Sequence, residues 1–392
     1  MGFLAILGYI FGGLLTLLIL LYITAYIVTH YVQNSPNKEN RDVHQKNIII
    51  TGGTSGIGKE AAKDLYLKGA NIIFTGRSYK KAEAIVDEIK EEIEKQLKDS
   101  KNDVELLAAR LDDLRAGSWD EEHNFSSTCL HYRKLDQSSL AQVTQFTDWA
   151  KANLQSLDTL HCNAGLVCVE EKKTEEGFDF AMGITHFAHF LMTHELLDLL
   201  KATPKSRVVT TSSEAHVFEM SGKKTYIDLT DIDWKKSRTK YDAAHRYSCS
   251  KLANVLFTVA LADLFDRKGW EVKAVCLHPG GVRSGFFDNF KGGMKYLVAF
   301  LYPIFLTAWE GAQTSLYCIL SDWGALENGK YYANCKPKRV NKVVEDGPYW
   351  KKFWNLSREE IKYKGGIETE LFEDYNLDLA VVEGAQTIQA ED

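Results

Sequence analysis

The stretch Asn47 to Gly58, NIIITGGTSGIG, limits the possible folds of this chain more than any other. Asn47 to Ile50 is a short apolar, β-branched run that reads as a buried strand. Thr51 to Gly58 turns out of it into the helical pattern Lys59 to Lys68. A strand, a glycine turn and a helix start form a phosphate site. Glycine reaches backbone angles other residues avoid and lets the chain approach a ligand closely, while the first helical turn offers unpaired N–H groups and positive dipole charge. Gly52, Ser55, Gly56, Ile57 and Gly58 are therefore expected around a pyrophosphate. Their spacing differs from the G-x-G-x-x-G fingerprint.

With 392 residues the chain can bury one large α/β core with appendages. Its net charge of -6 offers no basic surface to nucleic acid. Cysteines 129, 162, 168, 249, 276, 318 and 335 are scattered, odd in number and without C-x-x-C pairs, which predicts reduced thiols rather than disulfides or a metal site.

From Gly2 to Asn37 there is no Lys, Arg, Asp or Glu, and Phe3 to Val28 is almost wholly apolar. As a helix that run measures about 39 Å, against a hydrocarbon core of about 30 Å. A membrane span over residues 1–32 is expected, followed by a polar linker, 33–46. A cleaved signal peptide fits less well, because the run is long, no basic residues precede it and no A-x-A site follows. Ile6 excludes a myristoylation signal. Lys38, Arg41 and Lys46 follow the span and none precedes it, which places the remainder in the cytosol. The sequons at Asn124 and Asn355 then read as chance matches.

Asn71 to Thr75 reads as the second strand, ending at Gly76-Arg77-Ser78. At this point a carboxylate selects the free ribose 2′-hydroxyl of NAD, and an Arg the 2′-phosphate of NADP. No acid is present and Arg77 is, so NADP(H) is the expected cofactor. Ser78 to Lys98 is a charged helix. Asp99 to Thr128 reads as an insertion of no legible role. A third strand ends at Leu135-Asp136, a fourth precedes Cys162-Asn163-Ala164-Gly165, and Arg207 to Ser213 forms a fifth whose end delivers hydroxyls to the crevice side of the sheet.

Tyr247 and Lys251 share one face of a helical pattern at i, i+4. A free phenol, with a pKa of about 10, is a poor acid–base group near neutrality. An ammonium held about 4 Å away is worth roughly 4 kcal/mol at an effective dielectric of 20, or about a thousandfold in ionisation. That spacing alone is weak. Its place in an ordered series strengthens it: glycine loop, Arg77, Asn-Ala-Gly, Ser212-Ser213, Tyr247-x-x-x-Lys251, then His278-Pro279-Gly280-Gly281-Val282-Arg283-Ser284.

That series resembles the short-chain dehydrogenase/reductases over about residues 47–340. Glu310-Gly-Ala-Gln-Thr-Ser-Leu-Tyr, Gly329-Lys-Tyr-Tyr and Cys335-Lys-Pro-Lys resemble more narrowly the membrane-bound retinol dehydrogenases. The resemblance implies one doubly wound, Rossmann-type parallel sheet, with residues 341–392 as a C-terminal extension ending in an acidic tail. It implies that Ser213 polarises the substrate oxygen, with Ser212 the neighbouring alternative. Tyr247 would exchange the proton, and Lys251 would hold the nicotinamide ribose while lowering the Tyr247 pKa. Asp136 would meet the adenine, Asn163 would brace the central strand beside the cofactor, and Pro279, Val282 and Ser284 would receive the nicotinamide. The family usually carries Asn, thought to hold a relay water, where this chain has Thr185, and N-N-A-G where it has Cys162. His186 and His189 are expected in packing, not metal binding.

The apolar segment Leu297 to Ala308 is too short to span a bilayer and reads as a membrane-facing lid. Together these features predict a membrane-anchored, NADPH-linked reductase of a lipophilic carbonyl of retinoid, steroid or polyprenol type. Its expected address is an endoplasmic reticulum or lipid-droplet membrane, and a homo-oligomer is left open. One rival is a non-catalytic NADP-binding scaffold at the membrane, which the Thr185 and Cys162 departures favour. The other keeps the chemistry but makes the substrate soluble.

Overall fold

The computed structural model describes residues 2–32, 36–98, 104–117, 119, 130–218, 225–235, 240–283, 302–365, 372, 373 and 375. Among them β1 (Asn47–Ile50), β2 (Asn71–Gly76), β3 (Leu130–Lys134), β4 (Thr159–Cys162), β5 (Ser206–Thr211), β6 (Val272–His278), β7 (Tyr331–Ala333) and β8 (Lys336–Pro337) form one sheet. Their order is β3-β2-β1-β4-β5-β6-β7-β8. All pairings are parallel except β7 with β8. The strand order reverses between β1 and β4, where open α/β sheets form a ligand crevice. The fold is a Rossmann-like α/β fold with one antiparallel edge.

Successive side chains of a strand point to opposite faces, so a sheet covered on both sides needs continuous apolar runs. Ile48, Ile50, Ile72 and Phe74 pack under α2 (Gly56–Leu67), α3 (Tyr79–Lys98) and the Ala308–Leu320 helix. Ile49, Ile73 and Leu160 join the opposite core, beneath α5 (Leu140–Asn153). That layer continues through α6 (Phe180–Met182), a π-helical turn (Gly183–Phe187), α7 (Ala188–Glu195) and α8 (Leu197–Ala202). It is completed by α9 (Ala243–Lys268) and the Gly347–Gly365 helix.

The aromatic run beyond residue 340 is part of this second core: Phe353 and Trp354 are buried, and Trp354 lies 4.9 Å from Phe190 and 6.0 Å from Phe257 between ring centroids. Asn355, the second sequon, exchanges two hydrogen bonds with the Tyr375 backbone. The acidic tail beyond Tyr375 and the first sequon lie outside the described residues.

The region read as an insertion contains α4 (Val104–Arg115), which buries Leu107, Leu111 and Leu114 and packs on α3. Arg110 is also buried. It donates to Ala70 O at 3.1 Å and lies 4.3 Å from the Tyr66 ring centroid. The described part of the segment therefore serves the outer core, away from the crevice edge of the sheet.

Two helices of 26 residues have opposite surroundings. α9 is apolar enough to cross a membrane but is buried in the core. α1 (Gly2–Ile27) carries Leu14, Leu17, Leu18, Ile19, Leu20, Leu21 and Ile23 at 47–62% exposure.

Candidate active site

Gly52 and Gly56 have φ of +64° and +55°, the left-handed region that favours glycine. A Cβ on Gly58 would come within 2.5 Å of Asn163 Nδ2 and 2.7 Å of Gly52 O. The turn is thus closed down to backbone thickness, with Ser55 and Gly56 exposed at the start of α2. Ser55 makes no side-chain cap bond, leaving the first turn to bind an anion. Ile57, partly buried, sits where this helix meets Gly311.

A Cβ on Gly76 would collide with the Thr54 side chain, so the absence of an acid at the end of β2 has a local steric reason. Arg77 follows immediately and is exposed. Asp136 spends one carboxylate oxygen on Ser138 N–H at 2.9 Å. Asn163 is a brace: Nδ2 donates to Thr51 O at 2.9 Å, and Oδ1 accepts from Thr211 Oγ1 at 3.5 Å. Pro279 and Val282 are half-buried beyond β6, while Ser284 lies outside the described residues, as do residues 297–301 of the lid segment.

β5 and α9 bring the three expected acid–base residues together. Ser212 is buried, with its hydroxyl committed to Lys251 O at 2.7 Å. Ser213 is half-buried and hydrogen-bonds the Tyr247 hydroxyl. The geometry thus separates the two serines. Lys251, 3% exposed, donates Nζ to Thr211 O at 3.0 Å and lies 5.6 Å from the Tyr247 ring centroid.

The electrostatics correct the expectation of a lowered phenol. Burial pushes Tyr247 up, and the Ser213 bond only partly offsets it. Burial pushes Lys251 down to about 8. Removing water disfavours both charged forms. The Tyr247 phenol is therefore held in its neutral form.

Thr185 Oγ1 is fully buried with no hydrogen-bond partner. A Cβ on Gly165 would lie 2.9 Å from Lys251 Nζ and 3.5 Å from this hydroxyl, which locates the orphan beside the ammonium. His189 Nδ1 donates to Thr185 O at 2.9 Å, so its Nε2 accepts from Thr51 Oγ1 at 2.8 Å. Thr51 Oγ1 in turn accepts N–H groups of Asn163 and Ala164 at 2.9 and 3.0 Å. His186 Nε2 pairs with Ser357 Oγ at 2.9 Å in the aromatic core. Both histidines brace the fold.

The sequence pattern of the short chain dehydrogenase family matches residues 46–117 and 100–227. Retinol dehydrogenase 12 of Mus musculus is 32% identical over 361 residues, 91% of this chain and 98% of that protein. The chain belongs to the short-chain dehydrogenases. Within the family it is retinol dehydrogenase-like, since retinol dehydrogenase 14 of Homo sapiens is also 31% identical over 80% of this chain and 86% of that one. The crystal structure of a putative uncharacterized protein from Mycobacterium paratuberculosis superposes with a TM-score of 0.58 at 25% identity, covering 82% of this chain and 96% of that one. This short-chain dehydrogenase is an oxidoreductase acting on CH–OH groups.

Sequence reasoning missed several supporting residues of this short-chain dehydrogenase. Thr211 O accepts from both Lys251 Nζ and Asn254 Nδ2, each at 3.0 Å. Asn254 stands three residues after Lys251 on the same helix face, so helical spacing carried the signal. His278 Nδ1 accepts Glu214 N–H at 3.3 Å, and His216 Nδ1 donates to Ser213 O at 2.6 Å. Nothing in linear spacing links these two histidines to the Ser213 turn.

Proposed function

We propose that this protein is a membrane-anchored, NADP(H)-linked reductase of a lipophilic carbonyl of retinoid, steroid or polyprenol type. The observation that carries the reading is the neutral Tyr247 hydroxyl bonded to Ser213, with buried Lys251 beside it at the crevice edge. Bound NADPH would supply the hydride. Ser213 donates a hydrogen bond to the carbonyl oxygen, and Tyr247 delivers its proton to that oxygen as charge develops. A phenol kept protonated is ready to serve reduction, because in oxidation it would have to lose its proton before it could take one from the alcohol. Thr185, with an unspent hydroxyl beside Lys251, is suited to hold a water that restores the Tyr247 proton.

The residues fit the dinucleotide. The Gly52–Gly58 turn and the start of α2 hold the pyrophosphate, Asp136 has one carboxylate oxygen for the adenine, and Pro279 and Val282 line the nicotinamide end. Arg77 makes no hydrogen bond or ion pair among the described residues, so its guanidinium is available for a 2′-phosphate. Arg77→Ala is expected to raise the KM for NADPH about 10–100-fold and leave that for NADH unchanged, the loss of one or two charge-assisted bonds. Equal losses with both cofactors would remove Arg77 from this role.

α1 supplies the anchor: its 26 residues span about 39 Å, and Leu14, Leu17, Leu18, Ile19, Leu20, Leu21 and Ile23 are exposed on it. The relatives' names point to retinol, and an apolar anchor beside the crevice suits a membrane-dissolved substrate. The protein faces the cytosol from an endoplasmic reticulum or lipid-droplet membrane. The test is NADPH oxidation by membranes containing the protein, offered retinal, steroid ketones and long prenyl aldehydes. Cofactor binding without turnover of any of them would support the scaffold instead.

A further inference from the structure

α1 does not end free of the enzyme body. The π-helical turn Val28–Val32 continues it, and His30 in that turn makes two contacts with sequence-distant residues. Its Nε2 donates to Pro303 O at 3.0 Å, and its Nδ1 meets Glu310 Oε1 at 2.9 Å. Glu310 is also the closing residue of a capping box with Thr307 at the start of the Ala308–Leu320 helix.

Pro303 O is shared. Arg283 reaches it with Nη2 at 3.3 Å and reaches Phe305 O with Nε at 3.0 Å. The backbone of Gly281 to Arg283 is further stitched to Leu306 by bonds of 2.8 Å in both directions. One carbonyl thus joins the foot of α1 to the segment proposed to receive the nicotinamide. The linker follows the same helix: Asn37 N–H donates to Gln313 Oε1 and Arg41 N–H to Leu320 O, each at 3.0 Å. Trp309, beside Glu310, is 49% exposed, and Trp prefers the membrane–water interface.

We infer that His30 is a positioning residue that holds the mouth of the crevice against the bilayer surface, so that the carbonyl substrate passes from lipid into the site beside Pro303–Glu310. This rests on the proposed membrane span of α1. A span that uses most of α1 brings His30 out at the interface, and its two bonds bring Pro303 and Glu310 to the same level. A flexible tether would let the crevice swing away, and an apolar substrate would then have to cross water.

The test uses the full-length protein in membranes, with His30→Ala and His30→Gln compared on a long prenyl aldehyde and a short water-soluble aldehyde. His30→Ala is expected to raise the KM for the prenyl aldehyde about 5–10-fold, the worth of about one hydrogen bond. It should leave kcat on both substrates and the KM for the soluble one within about twofold. Gln, whose amide can still donate to Pro303 O, should recover most of the loss. Equal effects on both aldehydes, or none, would overturn the inference.

A second readout needs no turnover. Bromine-labelled lipids should quench a fluorescence component that Trp309→Phe removes, and His30→Ala should diminish that component. If quenching in the unaltered protein has no Trp309 component, or His30→Ala leaves the component intact, the crevice mouth is not held at the surface. If the quenching behaves as expected but neither aldehyde is reduced, the proposed reaction fails and the docking stands.

Discussion

Tyr247→Phe is expected to lower turnover by about 10²–10⁴-fold while dinucleotide affinity and thermal stability stay close to those of the unaltered protein. The substitution removes one hydroxyl and its bond to Ser213 and keeps the ring that packs at the foot of α9. Because burial holds the phenol up, the rate of carbonyl reduction should be nearly level across neutral pH. It should decline as pH rises through about 8, where Lys251 loses its charge. Single-turnover NADPH oxidation followed against pH checks both points. A variant retaining more than about a tenth of the rate would show that the proton comes from elsewhere.

Acidification is expected to cost this fold more than most. His161, His186, His189 and His216 are at most 1% exposed. Burial pushes His161 and His186 down to about 3, and His189 and His216 down to about 4. The unfolded chain takes up protons near pH 6.5, so between that pH and the folded values it binds more protons than the native state. Stability is therefore complete above about 6.5 and is lost as pH falls through that window. At pH 5 each histidine costs about 2 kcal/mol, which for the four together lowers Tm by on the order of 10 °C. Thermal unfolding of the unaltered protein and His161→Leu from pH 7.5 to 5 tests this. The variant should lose roughly a quarter less Tm over that range; parallel curves would show that these rings do not set the acid limit.

The nucleotide loop was legible because its function is local. A strand, three glycines and a helix start lie within a dozen residues, and backbone geometry forces those residue types. The placement of Arg77, Tyr247 and Lys251 was legible for a similar reason, since Arg77 follows a recognisable strand end and Tyr247 and Lys251 repeat at helical spacing. The strands and helices were legible as apolar runs alternating with helical patterns, and the doubly wound sheet as what the family resemblance of the ordered motifs implies. α1 was legible as a helix because nothing in it is charged.

Other properties depend on residues far apart in the chain. Which of two adjacent serines faces Tyr247 was decided by β5 passing α9, where Lys251 O takes the Ser212 hydroxyl. The Tyr247 phenol is pushed up where the sequence expectation had it lowered, because burial removes its solvent, and burial is a property of the packed fold. α4 was unreadable for the same reason: Arg110 looks like a surface charge until Ala70 O and the Tyr66 ring enclose it. The sequence by itself determined the elements, the crevice edge and the chemical types available there, because short-range sterics and periodicity act along the chain. The tertiary structure alone decided which hydroxyls stay unspent, which charges survive burial and where the foot of α1 docks, because desolvation and long-range hydrogen bonds exist only between surfaces that folding has brought together.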